Sequence, residues 1–221
     1  KHTVADNLDL RYEFFPKSSE QFMVGMFYKR LKNPIEYGLL NEGQDTYYKP
    51  MNFGNATNLG VEVDVMKYFN WFGIKANYTY THSSITTEKR IMDGNDVKTC
   101  TQTRPLFGQA AHVANLSLLF KSTKYGWEGQ IAGSYTGKRL SDISNWYDDD
   151  IWEDGYMQLD ASVEKSFKNG ISLFAKASNL LDTPLLRFIQ SGPRTENVNS
   201  ERNDGNVIER KERHGQSFML G

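Results

Sequence analysis

The stretch EKSFKNGISLFAK, from Glu164 to Lys176, decides the fold of this chain, because it predicts a β-hairpin of definable register. Its central Asn-Gly is a frequent turn signal between two runs that alternate apolar and polar residues. A two-residue turn would pair Phe167 with Ser172, whereas a three-residue loop pairs Phe167 with Ile171 and keeps one face nearly apolar. We therefore predict a three-residue loop in which Gly170 adopts the left-handed backbone conformation.

Similar alternation recurs along the whole chain and predicts an all-β protein with about nine antiparallel strands. The predicted strands are 7–15, 21–30, 58–69, 72–81, 109–120, 127–138, 156–167, 171–181 and a ninth that begins near residue 211. The register test on the third and fourth runs favours a two-residue turn at Asn70-Trp71, which pairs Phe69 with Phe72. No apolar run approaches the roughly 20 residues that a membrane helix needs.

The connections between these strands alternate in length. Short connections fall near residues 16–20, 70–71, 121–126 and 168–170, and long loops fall at about 31–57, 82–108, 139–155 and 182–208. Long loops without secondary structure are uncommon in compact domains. A transmembrane β-barrel with short periplasmic turns and long extracellular loops predicts this asymmetry.

The two faces of the predicted strands differ sharply in polarity. Aromatic residues lie on the apolar face at both strand ends: Phe14, Phe22, Phe69, Phe72, Phe120, Trp127 and Phe167 near the short turns, and Tyr28, Tyr78, Tyr80 and Tyr135 near the long loops. Two aromatic girdles around an aliphatic band are typical of a lipid-facing surface, on which Leu173 would meet acyl chains. Charged residues on the other face, including Arg11, Glu62, Asp160 and Lys176, suit a wet lumen. A water-soluble β-sandwich, the alternative fold, explains neither the girdles nor the loop asymmetry.

Composition excludes several classes of function. The chain has 221 residues, a formal net charge of −1 and a mean hydropathy of −0.61, so charge favours neither nucleic acid nor an acidic substrate. Cys100 is the only cysteine, which rules out a disulfide framework within the chain and a multi-cysteine metal site. No spacing of catalytic or metal-ligating residues stands out, so we expect no catalytic residues, no metal, no cofactor and no enzyme activity.

The loop SNWYDDDIWEDG, residues 144–155, carries the strongest local signal for ligand binding. Its acidic residues offer oxygen ligands for a hard cation: Asp148, Asp149, Asp150, Glu153 and Asp154. Its aromatic residues, Trp146, Tyr147 and Trp152, are suited to stack on a sugar or another planar ligand. A merely solvated acidic loop is the alternative. The highly charged segment 195–215 predicts a long exposed loop that could also touch substrate.

Several stretches resemble one family of membrane proteins. ASNLLDTP (177–184) resembles the Asn-Leu-Phe-Asp stretch near the C-terminus of TonB-dependent outer-membrane receptors, with Leu181 in place of the usual aromatic residue. NLDLRYEFFP (7–16) and MFYKRLKNPIE (26–36) are similar to barrel hairpins of the same family, especially its Bacteroidota branch. GQSFMLG (215–221) looks like the start of the family's last strand, without the aromatic residue that usually ends it.

The resemblance implies that residues 1–221 are the C-terminal portion of a barrel of about 22 strands in the outer membrane of a Gram-negative bacterium. It implies uptake of a scarce nutrient, such as a metal chelate, vitamin, glycan or peptide. The implied partners are outer-membrane lipid, the protein's own N-terminal plug domain outside this chain, the TonB complex acting through that plug, and a surface lipoprotein. Arg11, Glu62, Asp160 and Lys176 would then make polar contacts to the plug. The alternatives are a passive structural or adhesive barrel whose loops bind partner proteins and, ranked last, a barrel enzyme.

Overall fold

The structure is a computed structural model that describes residues 1–42, 45–190 and 206–221. The described residues form sixteen strands. In chain order these are β1 (Val4–Lys17), β2 (Glu20–Lys32), β3 (Ile35–Glu42), β4 (Asp45–Asn52), β5 (Asn55–Phe69), β6 (Phe72–Asp93), β7 (Asp96–Arg104), β8 (His112–Ser122), β9 (Trp127–Thr136), β10 (Arg139–Ser144), β11 (Ile151–Glu153), β12 (Tyr156–Ser166), β13 (Ser172–Ser178), β14 (Leu185–Ile189), β15 (Val207–Glu212) and β16 (Ser217–Leu220). Among these residues, no helix is long and apolar enough to cross a membrane.

The larger sheet, which we call the wall sheet, is antiparallel and follows the order β1-β2-β5-β6-β8-β9-β12-β13-β16, with β7 added beside β6. Its nine-strand path confirms the all-β, antiparallel prediction and the predicted strand number within the described residues. The prediction for the ninth strand was wrong at its start. Residue 211 lies in β15, which belongs to the other sheet, and the ninth strand of the path is β16.

Both predicted hairpin registers are confirmed. Phe167 N–H donates to the Ile171 carbonyl at 2.8 Å, and Val163 pairs with Ala175 across β12 and β13. Gly170 has a φ of +85°, the left-handed conformation that its place in the three-residue loop requires. At the other hairpin, Phe69 pairs directly with Phe72 around the two-residue turn. Alternating polarity was therefore sufficient to set the register of these strands.

One face of the wall sheet is continuously apolar across neighbouring strands, and we call it the apolar face. A typical cross-strand row runs from β1 to β12: Phe14, Phe22, Val65, Ala76, Leu116, Gly133 and Leu159. Its large side chains are exposed, with Leu10 at 72% and Leu116 at 49%. The opposite, polar face carries rows such as Glu13, Met23, Asp64, Asn77, Asn115, Ser134 and Gln158. A water-soluble sheet would bury the apolar face rather than expose it.

The aromatic residues at the two ends of the apolar face make contacts with one another. At the short-turn end, the rings of Phe69 and Phe72 lie 6.2 Å apart, and Trp71 meets Phe120 edge to face at 5.4 Å. At the long-loop end, Tyr78 shares a 2.8 Å hydrogen bond with His112. Several aromatic residues of each predicted girdle therefore contact neighbouring rings.

The four long connections are not structureless loops, and that expectation was wrong. Three of them contain strands of a second sheet, which we call the loop sheet, with the order β15-β14-β11-β10-β3-β4. In addition, β6 continues well beyond the predicted end at residue 81 and forms a long hairpin with β7. The loop sheet is antiparallel except where β10 runs parallel to β3, at Ile143 and Gly38. This parallel pair joins the connection after β2 to the connection after β9.

The loop sheet folds inward over the polar face of the wall. Along the upper half of β6, polar-face residues are buried while their neighbours are mostly exposed or half-buried: Thr81, Ser83, Ile85, Thr87 and Lys89. The fully buried apolar side chains also lie at this end, among them Ile85, Leu140, Ile143 and Phe188. The described chain therefore places its buried core between the loop sheet and the top of the wall, on the side of the predicted lumen.

Candidate ligand-binding surface

The acidic aromatic loop predicted as a binding site connects β10 and β11 in the loop sheet. Two backbone hydrogen bonds tie this loop to the upper part of β6: Arg90 N–H donates to the Asn145 carbonyl at 2.8 Å, and Tyr147 N–H donates to the Arg90 carbonyl at 2.9 Å. Asp148 then turns the chain with a φ of +56°. The loop is therefore held against the wall as a short extension of its β-structure.

Asp150 is buried and works as a structural residue. Its carboxylate lies 2.6 Å from the Lys89 ammonium and accepts the Ser144 N–H at 2.8 Å. Both side chains of the ion pair are almost completely buried, Lys89 at 2% and Asp150 at 3% exposure. Burial lowers the pKa of Lys89 from its ordinary value, and the Asp150 carboxylate opposes that shift by favouring the charged ammonium. The pair joins the loop to β6 across 61 residues of sequence.

The other four carboxylates of the loop point to separate partners. Asp149 accepts the Ser144 hydroxyl at 2.9 Å, and Glu153 pairs with Arg139 at 2.5 Å. Exposed Asp148 accepts a hydrogen bond from Gln102, while Asp154 accepts the N–H of Gly155. No group of three or more acidic, histidine or cysteine side chains in the described ranges is placed to hold a metal ion. These four carboxylates of the loop are therefore not gathered at one point.

The three aromatic residues differ in their availability to a ligand. Trp152 is half-buried and covered by the Lys138 ammonium, which lies 4.6 Å from its ring centroid. Trp146 is half-buried, and its backbone N–H donates to the Ser144 hydroxyl at 3.1 Å. Tyr147 is 41% exposed. Tyr147 is therefore the most exposed of the three rings to a planar ligand.

The four predicted lumen residues all lie on the polar face of the wall sheet. Arg11 lies 3.8 Å from Glu62 on a nearby strand, an exposed pair worth little in water. Asp160 accepts hydrogen bonds from Gln158 and from the N–H of Asn179, the latter at 2.8 Å. Lys176 lies over the ring of Phe174 at 5.3 Å. Their contact with a plug domain remains a prediction. Residues 195–205 of the charged segment lie outside the described residues, and the remainder forms β15 and the approach to β16.

Sequence reasoning missed the ion pairs that fix the loop sheet in place. Arg104 donates to Glu36 at 2.7 Å, and Glu36 also accepts the Phe107 N–H at 2.8 Å, which joins β3 to the end of β7. Asp142 binds Arg187 and also accepts the Tyr48 hydroxyl at 2.7 Å. The β-branched residues of SSITTEKRI, residues 83–91, were a usable signal for the extension of β6. The partners of these charges lie too far away in sequence for spacing to reveal them.

Comparisons with solved structures give the same architecture. The chain is similar to the ferric enterobactin receptor from Pseudomonas aeruginosa, solved as two mutants in complex with enterobactin, with a TM-score of 0.53 for each. Identity is 15% and 16%, and the match covers 82% of this chain but 26% of each receptor chain, so the likeness concerns the fold. The comparison with curated proteins gave no match.

The family comparison covers most of the chain. Residues 1–180 match the family model described as TonB dependent receptor-like, beta-barrel. Members of this family are receptors and transporters in the outer membrane of Gram-negative bacteria. The chain belongs to the TonB-dependent receptor-like β-barrel family.

Proposed function

We propose that this chain forms part of the wall and the extracellular loop layer of a TonB-dependent transporter that takes up a scarce nutrient. The observation that supports this proposal most strongly is the position of the loop sheet, which folds inward over the polar face of β6 instead of spreading outward from the rim. A loop layer over the lumen mouth is suited to hold a ligand above the path that a plug would open. In this proposal residues 1–221 are one part of the barrel, and the plug and the TonB contact lie elsewhere in the protein.

The ligand would meet a rigid surface. Three ion pairs fix the loop sheet: Lys89 with Asp150 and Glu36 with Arg104, which are buried, and Asp142 with the half-buried Arg187. Because these groups are already ordered, ligand binding would cost little additional conformational entropy. We propose that Tyr147 and Trp146 contact the ligand by ring stacking, whereas Asp150 and Trp152 support the surface from below.

The ligand class is a metal chelate, vitamin, glycan or peptide. Enterobactin in the solved relatives is a metal-chelate example of such a ligand. A surface lipoprotein that covers the loop layer belongs to the same proposal. The family of the chain supports a transporter rather than an enzyme.

The test is uptake by cells that express the complete protein in strains with and without TonB. Labelled metal chelates, vitamins, glycans and peptides are supplied at limiting concentration, and Tyr147→Ala is compared with wild type. We expect one ligand to accumulate only when TonB is present, and the Tyr147 variant to raise the half-saturating concentration several-fold. Ligand binding that is identical with and without TonB, with no accumulation, would favour the adhesive alternative.

A further inference from the structure

A groove of about 630 Å³ lies in the apolar face where β8, β9, β12, β13 and β16 run side by side. The middle strands contribute small residues, Gly129, Ala161 and Ala175, and larger side chains such as Phe120 and Phe218 flank them. The wall is therefore locally thin on its lipid side. The groove begins in the aliphatic band and reaches toward the short-turn girdle.

A lysine lies on the same face, one cross-strand row closer to the turns than Gly129 and Val163. Lys165 pairs with Trp127, and its ammonium lies 5.0 Å from the Trp127 ring centroid and 5.5 Å from that of Phe167. In the described part of the chain, no carboxylate lies within ion-pair distance of this ammonium, which donates to the Tyr125 carbonyl. The charge is thus held at the girdle by aromatic rings and a backbone oxygen.

Two further lysines surround this position. The turn before β9 and the turn after β12 are adjacent, because the Ser166 N–H donates to the Gly126 carbonyl at 2.7 Å. Lys124 lies on the first turn and Lys168 on the second, and both side chains are exposed. Neither forms an ion pair within the described residues, so the rim below the groove is positively charged.

We propose that the groove and Lys165 form a binding site for an anionic phospholipid of the periplasmic leaflet. An acyl chain fills the groove, and a phosphate oxygen accepts a hydrogen bond from the Lys165 ammonium between the Trp127 and Phe167 rings. Lys124 and Lys168 add attraction for the same headgroup. The two parts of an anionic lipid match the two parts of the site: its apolar chain fits the groove in the aliphatic band, and its anionic headgroup fits the lysine at the girdle. An unpaired cation beside an apolar groove is favourable when such an anion is present.

The test is native mass spectrometry of the complete receptor, released from detergent with added phosphatidylglycerol or zwitterionic phosphatidylcholine. We expect Lys165→Gln to lower the affinity for phosphatidylglycerol about fivefold and to leave that for phosphatidylcholine nearly unchanged. Ala161→Leu, which fills the groove, should weaken binding of both lipids. Ala76→Leu, on the apolar face outside the groove, and Lys98→Gln, at the opposite rim, are matched controls that should behave as wild type.

A heat-modifiability gel first shows that each variant has folded, and the assay contains no transported ligand, so its result is independent of the proposed transport. Phosphatidylglycerol binding that is unchanged in both Lys165→Gln and Ala161→Leu would overturn the proposal. Equal loss in the two controls would overturn it as well, because the lipid would then be bound nonspecifically. Dimers that disappear in Ala161→Leu would place a second copy of the protein in the groove instead.

Discussion

The buried ion pair between Lys89 and Asp150 provides the sharpest test of the loop sheet. Replacing Lys89 with Met leaves the Asp150 carboxylate buried without its cation, a change that typically costs about 3–5 kcal/mol. Asp150 would retain only the Ser144 N–H, and its second carboxylate oxygen already lacks a hydrogen-bond partner. Burial already lowers the pKa of Lys89, so a charge at this position is unfavourable without its partner. The double variant Lys89→Met/Asp150→Leu removes both buried charges and should therefore recover much of the lost stability.

Hydrogen exchange of the detergent-solubilised receptor measures this effect locally. The N–H groups of Arg90 and Tyr147 are bonded across the contact that the ion pair supports, so their exchange reports its opening. A loss of about 3–5 kcal/mol accelerates exchange by roughly 10²–10⁴-fold if the loop opens as a unit. Lys98→Met is the control, because Lys98 forms an exposed pair with Asp93 on the same hairpin and should change exchange by less than about 1 kcal/mol.

Exchange that is equally slow in wild type and Lys89→Met would refute this reasoning, since the loop would then be held by its backbone bonds alone. Faster exchange over the whole wall sheet would also contradict it, because the pair would then stabilise the barrel rather than the loop sheet. A double variant no more protected than the single variant would show that the buried carboxylate is not the source of the penalty.

Two further predictions concern the wall. Leu116 lies midway between the girdles on the apolar face, so Leu116→Arg should cost about 2–4 kcal/mol in urea unfolding from lipid vesicles, whereas Ser117→Arg on the polar face should be nearly neutral. Gly126 has a φ of +65°, and a Cβ there would lie 2.2 Å from the Ser166 carbonyl oxygen, so Gly126→Ala should cost about 1–3 kcal/mol in the same assay. Gly170→Ala has the backbone strain without the clash and should cost only about 1 kcal/mol; equal losses in the two glycine variants would contradict the role of the contact.

The wall sheet was predictable because apolar and polar residues alternate along each strand, and this alternation assigns every residue to the apolar or the polar face. The pairing of Phe167 with Ile171 follows from polarity alone, since the other register would place charges beside apolar residues. The position of a residue along the membrane normal was harder to predict from the sequence. Leu173 lies opposite Lys165, close to the turns, so it is a poorer probe of the membrane centre than Leu116. That position depends on how far each strand extends beyond the girdle. Alternation shows which face a residue lies on, but it does not show where the strand ends.

The loop sheet was not predictable in the same way. Asp150 belongs to a run of three aspartates, and only its buried partner Lys89 distinguishes it from exposed Asp148. Loop strands bury polar and charged side chains in matched pairs, so their sequences lack a regular apolar period. Spacing predicts which residues can lie close together on one element, and it does not predict an ion pair formed across two connections.

The orientation of the wall is the central claim, and site-directed spin labelling along β8 tests it most directly. Single nitroxides are placed from residue 113 to residue 120 of the complete receptor in lipid vesicles, in a background from which Cys100 and every other cysteine have been removed. The structure predicts preferential collision with dissolved oxygen at Ala114, Leu116, Leu118 and Phe120, and with a water-soluble nickel complex at Val113, Asn115, Ser117 and Leu119. Inverted alternation, or equal accessibility to both reagents along the strand, would contradict the account.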